Sequence, residues 1–143
     1  MKKYIILSLL CISLASIFFD DIFFSTNKEI SSYNWHLESI ADSTGKLLAS
    51  DVKKNNTSQQ CKMMLNFTHS KFTLTDITDK KEYVGTYSLE KAGDSYKIDM
   101  LTDDSNTKIT GVYGTRFGFD KKTQPTITLQ TKDKILSFVA DSK

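Results

Sequence analysis

The chain has 143 residues, 39% of them hydrophobic and 25% charged, which is about one domain's worth of ordinary globular composition and argues against a multidomain enzyme. Nineteen Lys and Arg against 17 Asp and Glu leave a formal charge of +2, so no electrostatic reason exists to expect nucleic acid as a partner. One Pro and six Gly beside sixteen aromatic residues disfavour collagen-like, coiled-coil and disordered classes.

Met1-Lys2-Lys3 followed by the apolar run of residues 4–14 has the form of a secretory signal, with the small residues Ser13 and Ala15 at the two positions a signal peptidase reads. Cleavage after Ala15 is therefore expected, giving a signal peptide over residues 1–15 and a periplasmic or secreted product. The apolar stretch of residues 17–24, interrupted by Asp20 and Asp21, makes an uncleaved anchor reaching residue 24 the alternative, with the domain facing the periplasm. Residues 4–19 fall short of the roughly 20 needed to span a bilayer, which favours cleavage. Lipidation at Cys11 is disfavoured because Leu10 is too large for the position before a lipoprotein cysteine. Loss of residues 1–15 removes two Lys and leaves 17 charges of each sign. Cys61 is then the single mature cysteine, so no internal disulfide is expected and a small buried apolar role is its expectation.

Residues 16–32 read as a linker, polar from Ser25 onward, and residues 33–143 as one domain of short β-rich runs separated by turn-forming clusters. The runs cover residues 34–40, 61–67, 71–77, 83–89, 96–101, 108–117, 126–131 and 135–140. Alternation is clear in several: Phe72 and Leu74, Tyr96, Ile98 and Met100, and Ile127 and Leu129 each share one side of a strand, with polar residues on the other. One dry face per strand is the mark of an antiparallel sheet, whereas strands between helices are apolar throughout. Residues 41–60 are expected as an exposed loop with a short turn at 46–49. No segment of twelve or more residues after position 30 has sustained helical periodicity. The expected fold class is all-β: a small antiparallel β-barrel or strongly curved sheet of about eight strands, which removes exposed edges.

Chemistry-bearing residues are few. His36 lies between Trp35 and Leu37 and so points away from both, toward solvent; His69 sits in a short turn. No H-x-x-x-H or C-x-x-C spacing occurs, so no metal site and no cofactor are expected. Asp103-Asp104-Ser105-Asn106 has the oxygen-rich look of a calcium loop but lacks its alternating ligands, central Gly and closing Glu, and reads as a solvated hairpin turn. Gly111 to Gly118 has glycines without the following helix a phosphate loop needs, so bends or bulges for barrel closure are their expected role. Arg116, the single Arg, is expected in a structural ion pair. Interior aromatic and Met side chains either fill a small barrel or leave space for one apolar ligand, and Met63, Phe72, Tyr87 and Met100 are the expected lining of such a cavity.

Trp35-His36-Leu37-Glu38-Ser39-Ile40 with its following Gly45 turn resembles the opening W-x-L-x-S-I/V strand of the META/HslJ-like domains of bacterial envelope proteins. Residues 127–138 resemble that family's closing strand pair, L-x-L then L-x-F, and Gly85-Thr86-Tyr87 its G-x-Y strand start. The family's glycine-cysteine-asparagine element, its threonine-arginine-methionine-alanine-cysteine segment and the helix after it are absent, so the resemblance covers about a third of the chain. Bacterial lipocalin-like domains share the opening W-x-L, the G-T-Y strand and successive hairpins. The first resemblance implies an exported noncatalytic protein acting by binding or interaction in envelope stress tolerance or virulence. The second implies a carrier of a small hydrophobic ligand. The expected partner is accordingly a protein or a small hydrophobic molecule, not nucleic acid, with membrane contact only through an uncleaved N-terminal segment. An enzyme would require His36 or His69 to join carboxylates in a cleft.

Overall fold

A computed structural model of the chain describes residues 26–50, 62–117 and 122–141. The expected signal peptide, anchor and cleavage site, Cys61 and the second half of the expected 41–60 loop lie outside the described residues.

Residues 26–32 form a short helix, α1, and nine strands follow: β1 (Asn34–Asp42), β2 (Leu47–Ser50), β3 (Met63–Phe67), β4 (Lys71–Asp76), β5 (Lys81–Ala92), β6 (Ser95–Thr102), β7 (Lys108–Phe117), β8 (Thr123–Gln130) and β9 (Lys134–Asp141). All pairings are antiparallel, and from β3 to β9 each strand pairs with the next in sequence. β1 pairs with β9 from Asn34↔Asp141 to Asp42↔Lys134 and with β3 through Trp35↔Leu65 and His36↔Met64. The sheet therefore closes into an eight-strand barrel, with β2 as one further strand. Closure gives every barrel strand two neighbours and hides the edges that a flat sheet would expose.

The alternation read from the sequence is the alternation of burial. Trp35, Phe72, Leu65, Ile98, Ile127, Leu129 and Phe138 are wholly buried in one apolar cluster, while Lys71, Lys97, Thr128 and Gln130 on the opposite side of their strands are exposed. Burying each such side chain contributes about 1.5–3 kcal/mol before the entropy of ordering is subtracted.

Closure of so small a barrel requires staggered pairing, and β5 shows how this is achieved. Its first half pairs with β4 as far as Lys71↔Thr86, and its second half pairs with β6 from Gly85↔Thr102 onward. Gly85 stands where both neighbours meet it. A Cβ there would lie 2.0 Å from the Leu101 carbonyl oxygen and 2.8 Å from Phe72 Cε1, so only glycine permits the close coil. Gly111 on β7 admits the Leu129 side chain in the same manner. The stagger also explains Tyr83: it precedes the portion of β5 that β6 covers, and it is exposed rather than inward with the other aromatics.

Two segments differ from expectation. The region read as a loop with a turn at 46–49 contains β2, paired with β1 through Ser39↔Ser50, Ile40↔Ala49 and Ala41↔Leu47. The turn that makes this hairpin is earlier and tighter. Asp42 Oδ1 accepts hydrogen bonds from the backbone N–H groups of Thr44 and Lys46, both 2.9 Å, and from the Thr44 hydroxyl, while Gly45 takes φ +87°. The Thr44 hydroxyl foremost, then the Lys46 N–H, hold the Asp42 carboxyl below its ordinary range. β2 has the sequence LLAS with no polar alternation: Leu47 and Leu48 are exposed, and only Ala49 packs against the barrel cluster.

The second difference is α1. Seven residues give too few turns for a helical period to be read. Ile30 is wholly buried in the barrel cluster, and its carbonyl accepts the Trp35 indole N–H at 3.0 Å. Part of the expected linker is thus packed into the domain.

Candidate functional site

The barrel has two unlike ends. Antiparallel succession places the start of β1, the ends of β3, β5, β7 and β9, and the starts of β4, β6 and β8 together at one end, the end that α1 covers. Tyr33, Trp35, Phe67, Phe72, Tyr96, Tyr113 and Phe117 lie toward this end, and the Tyr87 hydroxyl reaches it by donating to the Thr68 carbonyl at 2.8 Å. Toward the other end the buried apolar residues are aliphatic or Met, Ile40, Leu74, Met100, Ile109 and Leu136, and the polar Asp76 and Thr102 are buried with them.

The aromatic residues are packed in sequence across the mouth. Tyr33 and Trp35 meet edge to face at 5.6 Å between ring centroids, Trp35 and Tyr113 edge to face at 5.9 Å, and Tyr113 and Tyr96 at 6.2 Å with their rings tilted by 31°. Such pairs add about 0.5–1.5 kcal/mol each beyond their burial. The Tyr113 hydroxyl donates to Glu29 Oε1 at 2.7 Å, so α1 is joined to the mouth by a hydrogen bond on either side of Ile30's apolar contact. Burial first, and then the bond to Glu29, raise the Tyr113 hydroxyl far above the ordinary tyrosine value. Tyr87 is pushed up to about 12 by burial.

The four expected cavity residues are divided by this arrangement. Phe72 and Met100 are wholly buried within the apolar cluster, whereas Met63 and Tyr87 are half-buried and packed against it. Phe72 lies against Gly85, and Tyr87 meets Phe67 edge to face at 4.8 Å. Tyr87 and Met100 also border a depression of about 290 Å³ in the barrel wall, which is completed by Thr86 and Ser88 of β5, Asp99 and Leu101 of β6, and Lys108 of β7. Asp99 is flanked there by Lys97 Nζ at 3.2 Å and Lys108 Nζ at 3.9 Å. This wall site was not legible as a unit in the sequence, because it joins three strands and sets Thr86, Ser88, Asp99, Leu101 and Lys108, from the side that alternation assigns to solvent, beside the inward Tyr87 and Met100.

The two histidines lie on different elements. His36 is half-exposed on β1, and its Nδ1 lies 2.8 Å from Asp141 Oδ1 of β9 without the alignment of a hydrogen bond. His69 is exposed in the turn between β3 and β4. Arg116 makes the ion pair expected of it: its guanidinium donates to both Glu38 carboxylate oxygens, one at 2.7 Å, and to Gln124 Oε1 at 3.1 Å. The bond to Glu38 raises the Arg116 pKa. Asp103 to Asn106 form the turn between β6 and β7, where the Thr102, Ser105 and Thr107 hydroxyls bond to one another and Asn106 takes φ +50°. Among the described residues, no group of three or more His, Cys, Asp and Glu side chains is placed to hold a metal ion, and no helix is long and apolar enough to cross a membrane.

Comparison with family models, with curated proteins and with solved structures finds no match to this chain.

Proposed function

We propose that this chain is an exported, noncatalytic envelope protein of META/HslJ-like type that acts by binding or interaction through its outer surface. The supporting observation is how the barrel interior is occupied. Trp35, Phe72, Phe138, Ile30, Leu65, Ile98, Met100, Ile127 and Leu129 are each less than 2% exposed, and Phe72 and Leu129 press against backbone that carries no Cβ. Interior volume taken by side chains is not open to a guest, and protein interiors tolerate few voids larger than a water molecule. Recognition then falls to the wall and the ends. The export reading rests on residues 1–15, and the envelope role in stress tolerance or virulence rests on the resemblance at both ends of the domain.

A lipocalin-like carrier is the second reading. It is favoured by one observation: β3 to β9 form an uninterrupted meander closed on β1, the arrangement of up-and-down barrels that hold ligands. Native mass spectrometry of the protein purified from its own envelope separates the two. The first reading predicts the mass of residues 16–143 with no small molecule retained. A stoichiometric apolar molecule that survives gentle ionisation would replace it with the carrier.

A further inference from the structure

The depression in the barrel wall has its origin in side-chain length. On the outer side of the sheet Thr86 stands opposite Leu101 and Leu101 opposite Lys108, while Ser88 stands opposite Asp99 and Asp99 opposite Thr110. These two rows lie about 7 Å apart along the strands. The short Thr86 and Ser88 of β5 leave a hollow beside the longer Leu101 and Lys108, and its volume of about 290 Å³ is at the lower limit of small-molecule sites. Asp99 borders it with one oxygen unsatisfied. Its Oδ2 is held by Lys97 Nζ at 3.2 Å, but Oδ1 is buried and accepts no hydrogen bond, with Lys108 Nζ beyond bonding reach at 3.9 Å. A buried carboxylate oxygen without a donor is unfavourable, so a group that donates to it gains by binding there. The Lys108 side chain is largely exposed and can move aside to admit one.

We propose that this depression binds one ring of a neutral saccharide, an assignment that deepens the reading of the outer surface as the place of recognition and rests on it. The charges select against ions. A cation would meet Lys97 and Lys108, and an anionic group brings no donor to Asp99 Oδ1. Lys71, beside Thr86 on β4, is already paired with Asp103 at 3.6 Å. A hydroxyl both donates and accepts, so one ring can donate to Asp99 Oδ1 and accept from Lys108 and from the Thr86 and Ser88 hydroxyls. Its C–H face meets the side chain of Leu101, which is 43% exposed. A peptide suits the site less well, because β6 is paired with β5 on one side and β7 on the other and offers no free edge for strand addition. An apolar guest would leave Asp99 Oδ1 without a donor.

The test follows the backbone amides of the intact chain by NMR during titration with methyl β-glucoside, methyl β-galactoside and N-acetylglucosamine, and with glucuronate and glucosamine as charged counterparts. At least one neutral sugar shifts the amides of Thr86 to Ser88, Asp99 to Leu101 and Lys108, saturating with a Kd of about 1 mM, and neither charged sugar binds more tightly. In Asp99→Ala the Kd rises about tenfold, because a bond to a charged acceptor is lost, and Ser88→Leu, which fills the hollow, abolishes the shifts. Both substitutions lie on the outer side of the sheet, so the rest of the spectrum stays that of the folded barrel. Failure of all three neutral sugars, tighter binding of a charged one, or undiminished binding by the two variants overturns the inference and leaves recognition by the outer surface standing. Shifts at Ile127 and Phe138 in place of the wall amides would remove both, since the guest would then be inside the barrel.

Discussion

Glycine at position 85 is a requirement of geometry. Gly85→Ala would place a methyl group within 2.0 Å of a backbone oxygen that cannot move without parting β5 from β6, so a loss of about 2 kcal/mol or more in thermal or denaturant unfolding is expected. Gly93 is the control: its Cβ position is open, and only its φ of +63° opposes a side chain, so Gly93→Ala should cost about 1 kcal/mol. The buried tyrosines make a separate prediction about pH. Tyr87 ionises near 12 in the folded protein against about 10 in an unfolded chain, and Tyr113 is raised further. Because only the protonated hydroxyls are tolerated in place, their stabilisation is complete below pH 10 and declines as pH rises through the interval from about 10 to 12. Denaturant titrations across this interval should show a falling midpoint, and the fall should be shallower in Tyr113→Phe and Tyr87→Phe.

Among the elements, α1 and β2 are too short or too uniform for a period to mark them, and they differ in what holds them. α1 adds one wholly buried side chain and two hydrogen bonds to the core, so Ile30→Ala should destabilise the domain by about 2–4 kcal/mol. Arg116→Ala, which removes a partly exposed ion pair, should cost less than about 1 kcal/mol in the same measurement. β2 is joined to the sheet by one short pairing and presents Leu47 and Leu48 to solvent. Its backbone amides should therefore exchange with deuterium well before those of β1 and β9. Equal protection in β2 and β9 would show that β2 has a second neighbour.

For the molecule as a whole, closure by β1 and β9 joins the two ends of the described chain, so no terminal strand can separate without opening the barrel. Unfolding should be a single transition, with backbone circular dichroism and Trp35 fluorescence changing together. The His36–Asp141 contact crosses the same seam, yet Asp141→Asn should shift that transition only slightly, because the backbone pairing from Asn34 to Asp42 carries the closure. The barrel also has a direction: the buried aromatic residues Trp35, Phe67, Phe72 and Tyr113 and α1 lie toward one end, and β2 lies at the other. Any partner that distinguishes the two ends is oriented by it.

Strand identity and the inward set were legible in the sequence, because a strand has a period of two and a single dry side leaves that period in the residues themselves, as Phe72 and Leu74 or Ile98 and Met100 show. The turns at His69 and at Asp103 to Asn106 were legible for similar local reasons, and an ion pair for Arg116 was legible from its chemistry, but its partner Glu38, 78 positions away, was not. The wall depression, the covering of the mouth by α1 and the grouping of aromatics at one end were decided by tertiary structure alone. Each depends on which residues of different strands come level once the sheet is staggered and closed, and that stagger is a property of the whole ring of pairings, carried by no single segment.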